Sequence, residues 1–138
     1  MEGSTPATMS LMTEYEDVAH DIKAYFDEFS NRAECNGIKD WILDPGIGFS
    51  KTIDQNYELL KSLEVFKSVR VVEGRSPRIL VGVSRKSLIY KYLNISPDES
   101  LPATQVLNFA ALQNGADILR VHDVAEAART VALYRQLA

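Results

Sequence analysis

The apolar run Ile79–Val83 is the feature that most restricts how this chain can fold. Its residues (Ile, Leu, Val, Gly and Val) show no alternation between apolar and polar side chains. A strand with one face in water alternates, whereas a parallel strand that is covered by helices on both faces is apolar throughout. The run therefore predicts a strand that is buried on both faces inside an α/β fold.

Two more apolar segments predict strands: Trp41–Leu43, which is too apolar to be half-exposed, and Asp117–Val121. Apolar residues at helical spacing precede the first strand and follow all three of them. The predicted order is α-βα-βα(α)-βα. The predicted helices span about residues 14–34, 53–68, 84–93, 102–114 and 124–137, with Ser84 or Ser87 capping the third.

This alternation predicts parallel strands joined by right-handed connections. It fits a doubly wound sheet or part of a (β/α)8 barrel. A complete barrel takes roughly 200 residues or more, and this chain has 138. We therefore expect residues 1–138 to form a single partial barrel domain with about three strands.

Composition narrows the class of protein. A formal net charge of -4 argues against nucleic acid as a partner. No apolar run approaches the roughly 20 residues that span a bilayer, and no signal peptide opens the chain. Cys35 is the only cysteine, so no internal disulfide can form, and a cytoplasmic location is expected.

The first residues carry two separate predictions. Met1–Ser4 is expected to be a loop or a cloning remnant. Thr13 and Glu16 have the spacing of a capping box, in which each side chain bonds a free backbone N–H at the start of the first helix.

Polar residues follow each predicted strand. The glycine-rich segment Asp44–Lys51 follows the first, Ser84–Ser87 the second, and Arg120–Asp123 the third. The carboxyl ends of parallel strands meet at one edge of a sheet, where α/β proteins bind ligands. The carboxylate of Asp44 among cations could bind a heterocycle with N–H donors. Arg120 with His122 could bind a phosphate. The helix start at Ser84–Ser87 offers N–H groups to an anion.

Each of these residues also has a structural interpretation. Asp44 could be a turn residue before proline, Lys86 a solvated surface residue, and His122 a satisfied turn residue. Arg120 and Asp123 could form an ion pair, and Asp123 could cap the last helix.

No known metal or nucleophile motif accompanies these residues. HExxH, CxxC and P-loop patterns are absent. Ser84, His122 and Asp44 could be assembled into a triad, but no GxSxG elbow supports one. His20 is expected on the polar side of the first helix, without a functional role.

Three of these segments resemble dihydropteroate synthases. The similar motifs are Asp-Pro-Gly-Ile-Gly-Phe-Ser-Lys at 44–51, Gly-Val-Ser-Arg-Lys-Ser at 82–87 and Arg-Val-His-Asp-Val at 120–124. Residues 5–9 also resemble the loop after that family's fifth strand. The resemblance runs from about residue 5 to the end and covers only the C-terminal half of that enzyme. It implies the C-terminal part of a (β/α)8 TIM barrel.

The resemblance implies a transferase of folate biosynthesis, in a family that sulfonamides target. It joins 6-hydroxymethyl-7,8-dihydropterin diphosphate to p-aminobenzoate and releases pyrophosphate. Mg2+ would bind the diphosphate through a residue that this chain lacks. By this resemblance the chain is truncated and inactive alone. A half barrel would also expose two sheet edges and apolar strand faces, so we expect the chain to self-associate, and the resemblance implies a homodimer.

The resemblance also implies roles for individual residues. Lys86, Arg120 and His122 are the implied catalytic residues. The implied substrate-binding residues are Asp44 for the pterin, Arg120 and His122 for the diphosphate, Phe49 beside the aminobenzoate, Ser87 and more weakly Ser84 for its carboxylate, Lys86 for both substrates, and Gly48 without a specified role.

Two other functions remain open at this point. A methyltetrahydrofolate-type methyltransferase domain would share the barrel and the carboxylate on the pterin. A noncatalytic scaffold would only bind an anion or a partner.

Overall fold

The computed structural model describes residues 17–71 and 74–138. Within them, β1 (Ile42–Leu43), β2 (Arg78–Val81) and β3 (Ile118–Leu119) form a parallel sheet with β2 in the middle. The three predicted strands and their parallel arrangement are confirmed, although each strand is shorter than predicted. The predictions for residues 1–9 and for the Thr13–Glu16 capping box lie outside the described residues.

Helices follow each strand, as the periodicity predicted. The last predicted helix is confirmed at both ends, and the others differ at their boundaries. The helices are α1 (Val18–Cys35), α2 (Ile53–Lys61), α3 (Ser87–Leu93), α4 (Leu101–Gln113) and α5 (Val124–Leu137), with short 3-10 helices at Leu63–Ser68 and Pro97–Ser100.

The start of α1 differs from the prediction. Asp17 is the N-cap residue, and its carboxylate accepts a hydrogen bond from the backbone N–H of His20 at 3.2 Å. The His20 ring is exposed and lies 2.7 Å from the same carboxylate. His20 therefore belongs to the solvated side of α1, as expected.

The helix predicted over 53–68 is broken at Ser62. The chain continues from α2 as a 3-10 helix, Leu63–Ser68. Side chains three residues apart eclipse one another in a 3-10 helix. Leu63 and Phe66 are three apart, and both are fully buried. The tighter winding thus directs two large side chains into one part of the core.

The two faces of the sheet are not equally covered. Leu43, Ile79 and Val81 point to one face and are fully buried, whereas Ile42 on the other face is 43% exposed and Leu80 is half-buried. The prediction that β1 and β2 are buried on both faces is therefore wrong. Helices in the described part of the chain cover only one face of the sheet.

A side chain fixes β3 against β2 at the amino end of the sheet. The Asp117 carboxylate accepts from the Ile79 backbone N–H at 2.9 Å and from Lys67 Nζ at 2.7 Å. The Asp117 backbone N–H donates to the Ile79 carbonyl at 2.8 Å. Asp117 and Ile79 are therefore joined through both backbone and side chain.

In the part of the chain that the structure describes, no helix is both long enough and apolar enough to cross a bilayer.

Candidate functional site

Lys86 joins the carboxyl ends of β1 and β2. Its Nζ donates a hydrogen bond to the Ile47 carbonyl at 2.6 Å and lies 4.9 Å from the centre of the Phe49 ring. Ile47 and Phe49 belong to the loop after β1. The expectation that these two loops meet is therefore confirmed, and Lys86 is half-buried rather than a solvated surface residue.

Lys86 also belongs to an electrostatic cluster with Asp44 and Arg120. Burial lowers the pKa of the Lys86 amine from 10.5 to about 8, and the positive charge of Arg120 contributes to the lowering, while Asp44 opposes it. The three charged groups come from the ends of three different strands. The shared edge of the sheet brings them together.

Asp44 is a turn residue, as one interpretation of the sequence predicted, and its ligand-binding role stays a prediction. Its Oδ1 accepts a hydrogen bond from the Gly46 backbone N–H at 2.9 Å, which shapes the turn. Among residues 17–71 and 74–138, no donor is bonded to its Oδ2. One carboxylate oxygen thus holds the loop, and the other can accept from a ligand.

Buried Asn56 of α2 fixes the loop after β1, and sequence analysis missed it. Its side-chain oxygen accepts from the Gly48 backbone N–H at 2.7 Å, and its Nδ2 donates to the Thr52 carbonyl at 3.0 Å. Lys51 Nζ donates to the carbonyls of Gly46 and Phe49 at 2.7 Å each. These bonds satisfy backbone groups of the loop. Phe49 within the loop is 37% exposed. An asparagine on the apolar side of a helix was the signal in the sequence.

Arg120 lies across the end of β2. A Cβ atom added to Gly82 would lie only 3.2 Å from Arg120 Nε and 3.4 Å from Nη2. The missing side chain at Gly82 therefore makes room for the guanidinium. No acceptor in the described residues is bonded to that guanidinium, so it can bind an anionic ligand.

Ser84 connects the ends of β2 and β3. Its hydroxyl is buried, lies 3.2 Å from His122 Nδ1, and accepts from the His122 backbone N–H at 3.3 Å. The His122 residue is exposed. The hydroxyl of Ser84 thus positions His122, which leaves Ser87 as the more available serine for a ligand.

The capping prediction for α3 is wrong. Its N-cap residue is Lys86, which makes no side-chain cap bond, and Ser87 is the first residue of the helix. Ser84 cannot cap because its hydroxyl is bonded to His122. In the described part of the chain, no hydrogen-bond partner occupies the Ser87 hydroxyl.

Asp123 is the N-cap residue of α5, but its side chain does not cap the helix. Its two carboxylate oxygens instead accept from Nε and Nη2 of Arg85, at 2.9 Å each. Arg85 also lowers the pKa of the Asp123 carboxyl group. The predicted cap bond and the predicted Arg120–Asp123 ion pair are both replaced by this contact. No local pattern signals it, since 38 residues separate the partners.

Comparison with known proteins assigns the family. The family described as pterin binding enzyme matches residues 1–122. The chain belongs to the pterin binding enzyme family. The dihydropteroate synthase of Escherichia coli (strain K12) is 40% identical over 128 residues, which are 91% of this chain and 43% of that relative. The chain thus spans less than half the length of this relative.

Solved structures agree with this assignment. Dihydropteroate synthase from Thermus thermophilus in complex with 4-aminobenzoate has a TM-score of 0.84 and 31% identity, over 96% of this chain and 52% of that one. Burkholderia cenocepacia dihydropteroate synthase complexed with 7,8-dihydropteroate has a TM-score of 0.83 and 30% identity, over 91% of this chain and 46% of that one. The predicted fold class, an α/β part of a (β/α)8 TIM barrel, is confirmed.

A groove on the helical surface of this pterin binding enzyme lies away from the charged cluster. It encloses about 700 Å³ between α2, α3 and α4 and contains none of the predicted site residues. Tyr92, Leu93 and Val106 line it and are exposed. The groove is thus a feature of the helical surface and not of the strand ends.

The residues around Arg120 do not fit a protein-held metal ion. No group of three or more His, Cys, Asp or Glu side chains in the described ranges is placed to bind a metal. The cluster combines one carboxylate with two cationic side chains, whereas Mg2+ prefers oxygen ligands. We therefore assign no metal ligands in these residues.

The unusual environment of Lys86 has a measurable consequence. The unfolded chain holds the Lys86 proton up to about pH 10.5, and the folded chain releases it near pH 8. Between these two pH values the unfolded chain binds more protons than the folded chain, so the contribution of Lys86 to the free energy of unfolding should increase as the pH rises. In Lys86→Met that contribution should be missing, while other groups titrate equally in both chains. Urea denaturation across this pH range measures the difference, and parallel curves would contradict it.

Gly48 offers a second test of the same contact. Its φ is +91°, and an added Cβ would lie 2.9 Å from Lys86 Cδ. Gly48→Ala should lower the free energy of unfolding by about 1–2 kcal/mol because of the backbone conformation. It should also push Lys86 towards solvent and return its pKa towards the usual value.

Gly37→Ala is the matched control for Gly48→Ala. Gly37 has a φ of +77° and nothing within 4 Å of an added Cβ. Gly37→Ala should lower the free energy of unfolding by a similar amount, because of its backbone conformation, and should leave the pKa of Lys86 unchanged. NMR titration of isotope-labelled lysine follows Lys86, and equal titrations in the two variants would contradict the contact.

Proposed function

We propose that this chain supplies one side of the active site of a dihydropteroate synthase. The observation that carries the proposal is the cluster of Asp44, Lys86 and Arg120, in which one carboxylate oxygen and one guanidinium are available to a ligand. The motifs at the three strand ends and the family assignment support it. The Burkholderia structure with 7,8-dihydropteroate and the Thermus structure with 4-aminobenzoate support the class of ligand.

The roles proposed for individual residues come from the resemblance to dihydropteroate synthases, and the geometry supports them. Asp44 Oδ2 would accept hydrogen bonds from the amino and N–H groups of the pterin. Lys86 would donate to the acceptor edge of the pterin and, from beside Phe49, close the aminobenzoate pocket. Arg120 and His122 would bind the diphosphate, since both follow β3 and Arg120 already lies over the end of β2.

The proposed reaction is a displacement at the methylene carbon of the pterin. The bond from this carbon to the diphosphate oxygen breaks, the aminobenzoate nitrogen bonds to the same carbon, and the nitrogen then releases a proton. The departing diphosphate gains negative charge. The cationic side chains of Arg120 and Lys86 would stabilise that charge as it forms.

We propose that Mg2+ accompanies the diphosphate, with its protein ligand outside these 138 residues. The first two strand ends of the barrel and their pterin-binding residues are also needed for the complete site. The chain alone should therefore be inactive. Location in the cytoplasm remains part of the proposal, and the free, exposed Cys35 agrees with a reducing compartment.

We also propose that the chain self-associates, with a homodimer as the expected form. Val106, Leu133 and Leu137 are more than 60% exposed on α4 and α5, and they line a continuous apolar surface. Apolar patches of this kind are typical of protein interfaces. Analytical ultracentrifugation tests this, and a monodisperse monomer would contradict it.

Calorimetry with Asp44→Asn tests the proposed function. The asparagine keeps the oxygen that accepts from Gly46 but removes the charge and presents donors to the pterin N–H groups. Binding of a pterin should fall at least about tenfold, the equivalent of roughly 1.4 kcal/mol, while binding of pyrophosphate should change little. Asp40→Asn, which alters an exposed carboxylate on the amino side of β1, is the control.

The outcome of this experiment separates the functions. Loss of pterin binding in Asp44→Asn, but not in Asp40→Asn, supports a pterin site, which a synthase and a methyltetrahydrofolate-type methyltransferase would share. Pyrophosphate binding without any pterin binding in the unaltered chain would leave an anion-binding scaffold. Binding of neither ligand would refute a site in the isolated chain. Aminobenzoate-dependent turnover after mixing with the N-terminal half of the Escherichia coli relative tests the complete reaction.

A further inference from the structure

Arg85 contacts three separate segments of the chain. Its Nε and Nη2 donate to the two carboxylate oxygens of Asp123 at 2.9 Å each. Its Nη1 lies 3.3 Å from the Asp98 carbonyl, and its backbone N–H donates to the buried Thr104 hydroxyl at 3.1 Å. A single residue thus ties the end of β2 to the start of α5 and to the region before and within α4.

The Arg85–Asp123 contact has the features of a geometric constraint. The two parallel hydrogen bonds fix distance and orientation together, which a single-point contact does not. The side chains are only 26% and 19% exposed, so solvent screens the pair less than a surface pair. Asp123 also occupies the N-cap position without capping, which leaves its carboxylate fully committed to Arg85.

The backbone of Arg85 supports the same conclusion. Its φ is +52°, a left-handed conformation that residues other than glycine rarely adopt. Such conformations persist where the surrounding structure holds them in place. Here the Thr104 hydroxyl holds the Arg85 backbone N–H, and the ion pair holds its side chain.

The pair lies one residue away from proposed ligand-binding groups on both loops. Asp123 directly follows His122, and Arg85 lies between Ser84 and Lys86. Ser84 in turn is bonded to the His122 ring and backbone. The two loops are therefore joined twice, once by a buried hydroxyl and once by an ion pair.

We propose that Arg85 is a positioning residue, which holds His122 in its ligand-binding place through the ion pair with Asp123. The inference rests on the proposed function, because it concerns the site for the diphosphate. In this proposal Arg85 acts without contacting the anion, because Nε and Nη2 of its guanidinium are bonded to Asp123. Its effect is transmitted through the loop after β3.

The chain contains a favourable probe, because it has only two histidines, His20 and His122. Labelled histidine therefore gives two sets of ring signals in an NMR spectrum. His20 lies on α1 and pairs with Asp17, so its signals are an internal control. The ring signals of His122 report its contact with Ser84.

The experiment compares Arg85→Met with Arg78→Met. Arg78 lies at the other end of β2 in an exposed pair with Asp40 at 3.4 Å, so the same substitution there leaves the site intact. In Arg85→Met, the His122 signals should shift and broaden, and pyrophosphate affinity should fall on the order of tenfold, by analogy with residues that support metal ligands. In Arg78→Met, neither should change, and His20 should be unaffected in both.

Asp123→Asn is the second variant, for the case in which Arg85→Met does not fold. It keeps the shape of the side chain and removes the charge that binds Arg85. The same change in the His122 signals is expected. Arg85→Lys should give an intermediate effect on His122, because an amine cannot form both hydrogen bonds.

The two measurements distinguish failure of this inference from failure of the proposed function. Unchanged His122 signals in folded Arg85→Met or Asp123→Asn would overturn the positioning role. Changed His122 signals without any pyrophosphate binding in the unaltered chain would support the positioning of His122 and refute the anion site. Changed signals with unchanged pyrophosphate affinity would overturn the link to ligand binding.

Discussion

Arg120→Ala should lower the affinity of the chain for pyrophosphate by about 100-fold. Hydrogen bonds to charged groups contribute about 1.5–3 kcal/mol, and each 1.4 kcal/mol is a factor of about ten in affinity. Gly82 leaves space for the Arg120 guanidinium at the end of β2. Removal of the guanidinium therefore takes away charge and directed donors together.

Two further variants test whether the loss of affinity is specific to the guanidinium at position 120. Arg120→Lys keeps the charge but loses the planar pair of donors, so we expect a loss of about tenfold. Arg129→Ala removes an exposed arginine from α5 and should leave the affinity unchanged. Calorimetry at a single fixed salt concentration measures all three variants. Similar losses in Arg120→Ala and Arg129→Ala would mean that pyrophosphate responds only to net charge.

Phe66→Ala should lower the free energy of unfolding by about 3–5 kcal/mol, the range for a large aromatic side chain in a core. Phe66 is fully buried, and its ring meets that of Phe26 edge to face with centroids 6.3 Å apart. Domains of this size have total stabilities of about 5–15 kcal/mol. The substitution should therefore remove a large share of the stability.

Urea denaturation measures the effect of Phe66→Ala. Val124→Ala is the control, because Val124 is 70% exposed and lies outside the apolar surface proposed for self-association, so its truncation should change the free energy of unfolding by less than about 0.5 kcal/mol. Equal losses in the two variants would contradict the described core. Phe66 lies in the 3-10 helix that directs both it and Leu63 into the core, so the loss of its ring should affect this region strongly.

The sequence predicted the elements whose cause is local. Ile79–Val83 indicated a buried strand from its own residues, and helical spacing predicted α5 at both ends. It also predicted that Asp44, Lys86 and Arg120 would be neighbours, because parallel strands end at the same edge. That argument needs the topology alone and no detail of packing.

Contacts that depend on distant partners could not be predicted in the same way. Asp123 has the local signature of a helix cap, yet its carboxylate is bonded to Arg85 and to no free backbone N–H of α5. Ser84 likewise is bonded to His122 and not to the start of α3. In both cases a local rule was outweighed by a group 38 residues away.

Burial of the sheet was misjudged for a related reason. A run without alternation shows that a strand can be covered on both faces, but the covering elements must also be present. In the described part of the chain they cover the face of Leu43 and Ile79, and Ile42 remains exposed. The same run in a complete barrel would have its second face turned to the barrel interior.

The two connections between Asp117 and Ile79, one through the side chain and one through the backbone, fix the register of β3 against β2. β3 pairs with β2 through only two residues, which is little to define an alignment. A slip by one residue would move Arg120 about 3.3 Å along the sheet and turn it to the opposite face. It would also separate the Asp117 carboxylate from both the Ile79 N–H and Lys67. A carboxylate at one end of the sheet thus determines which face Arg120, the arginine proposed to bind the diphosphate, occupies at the other end.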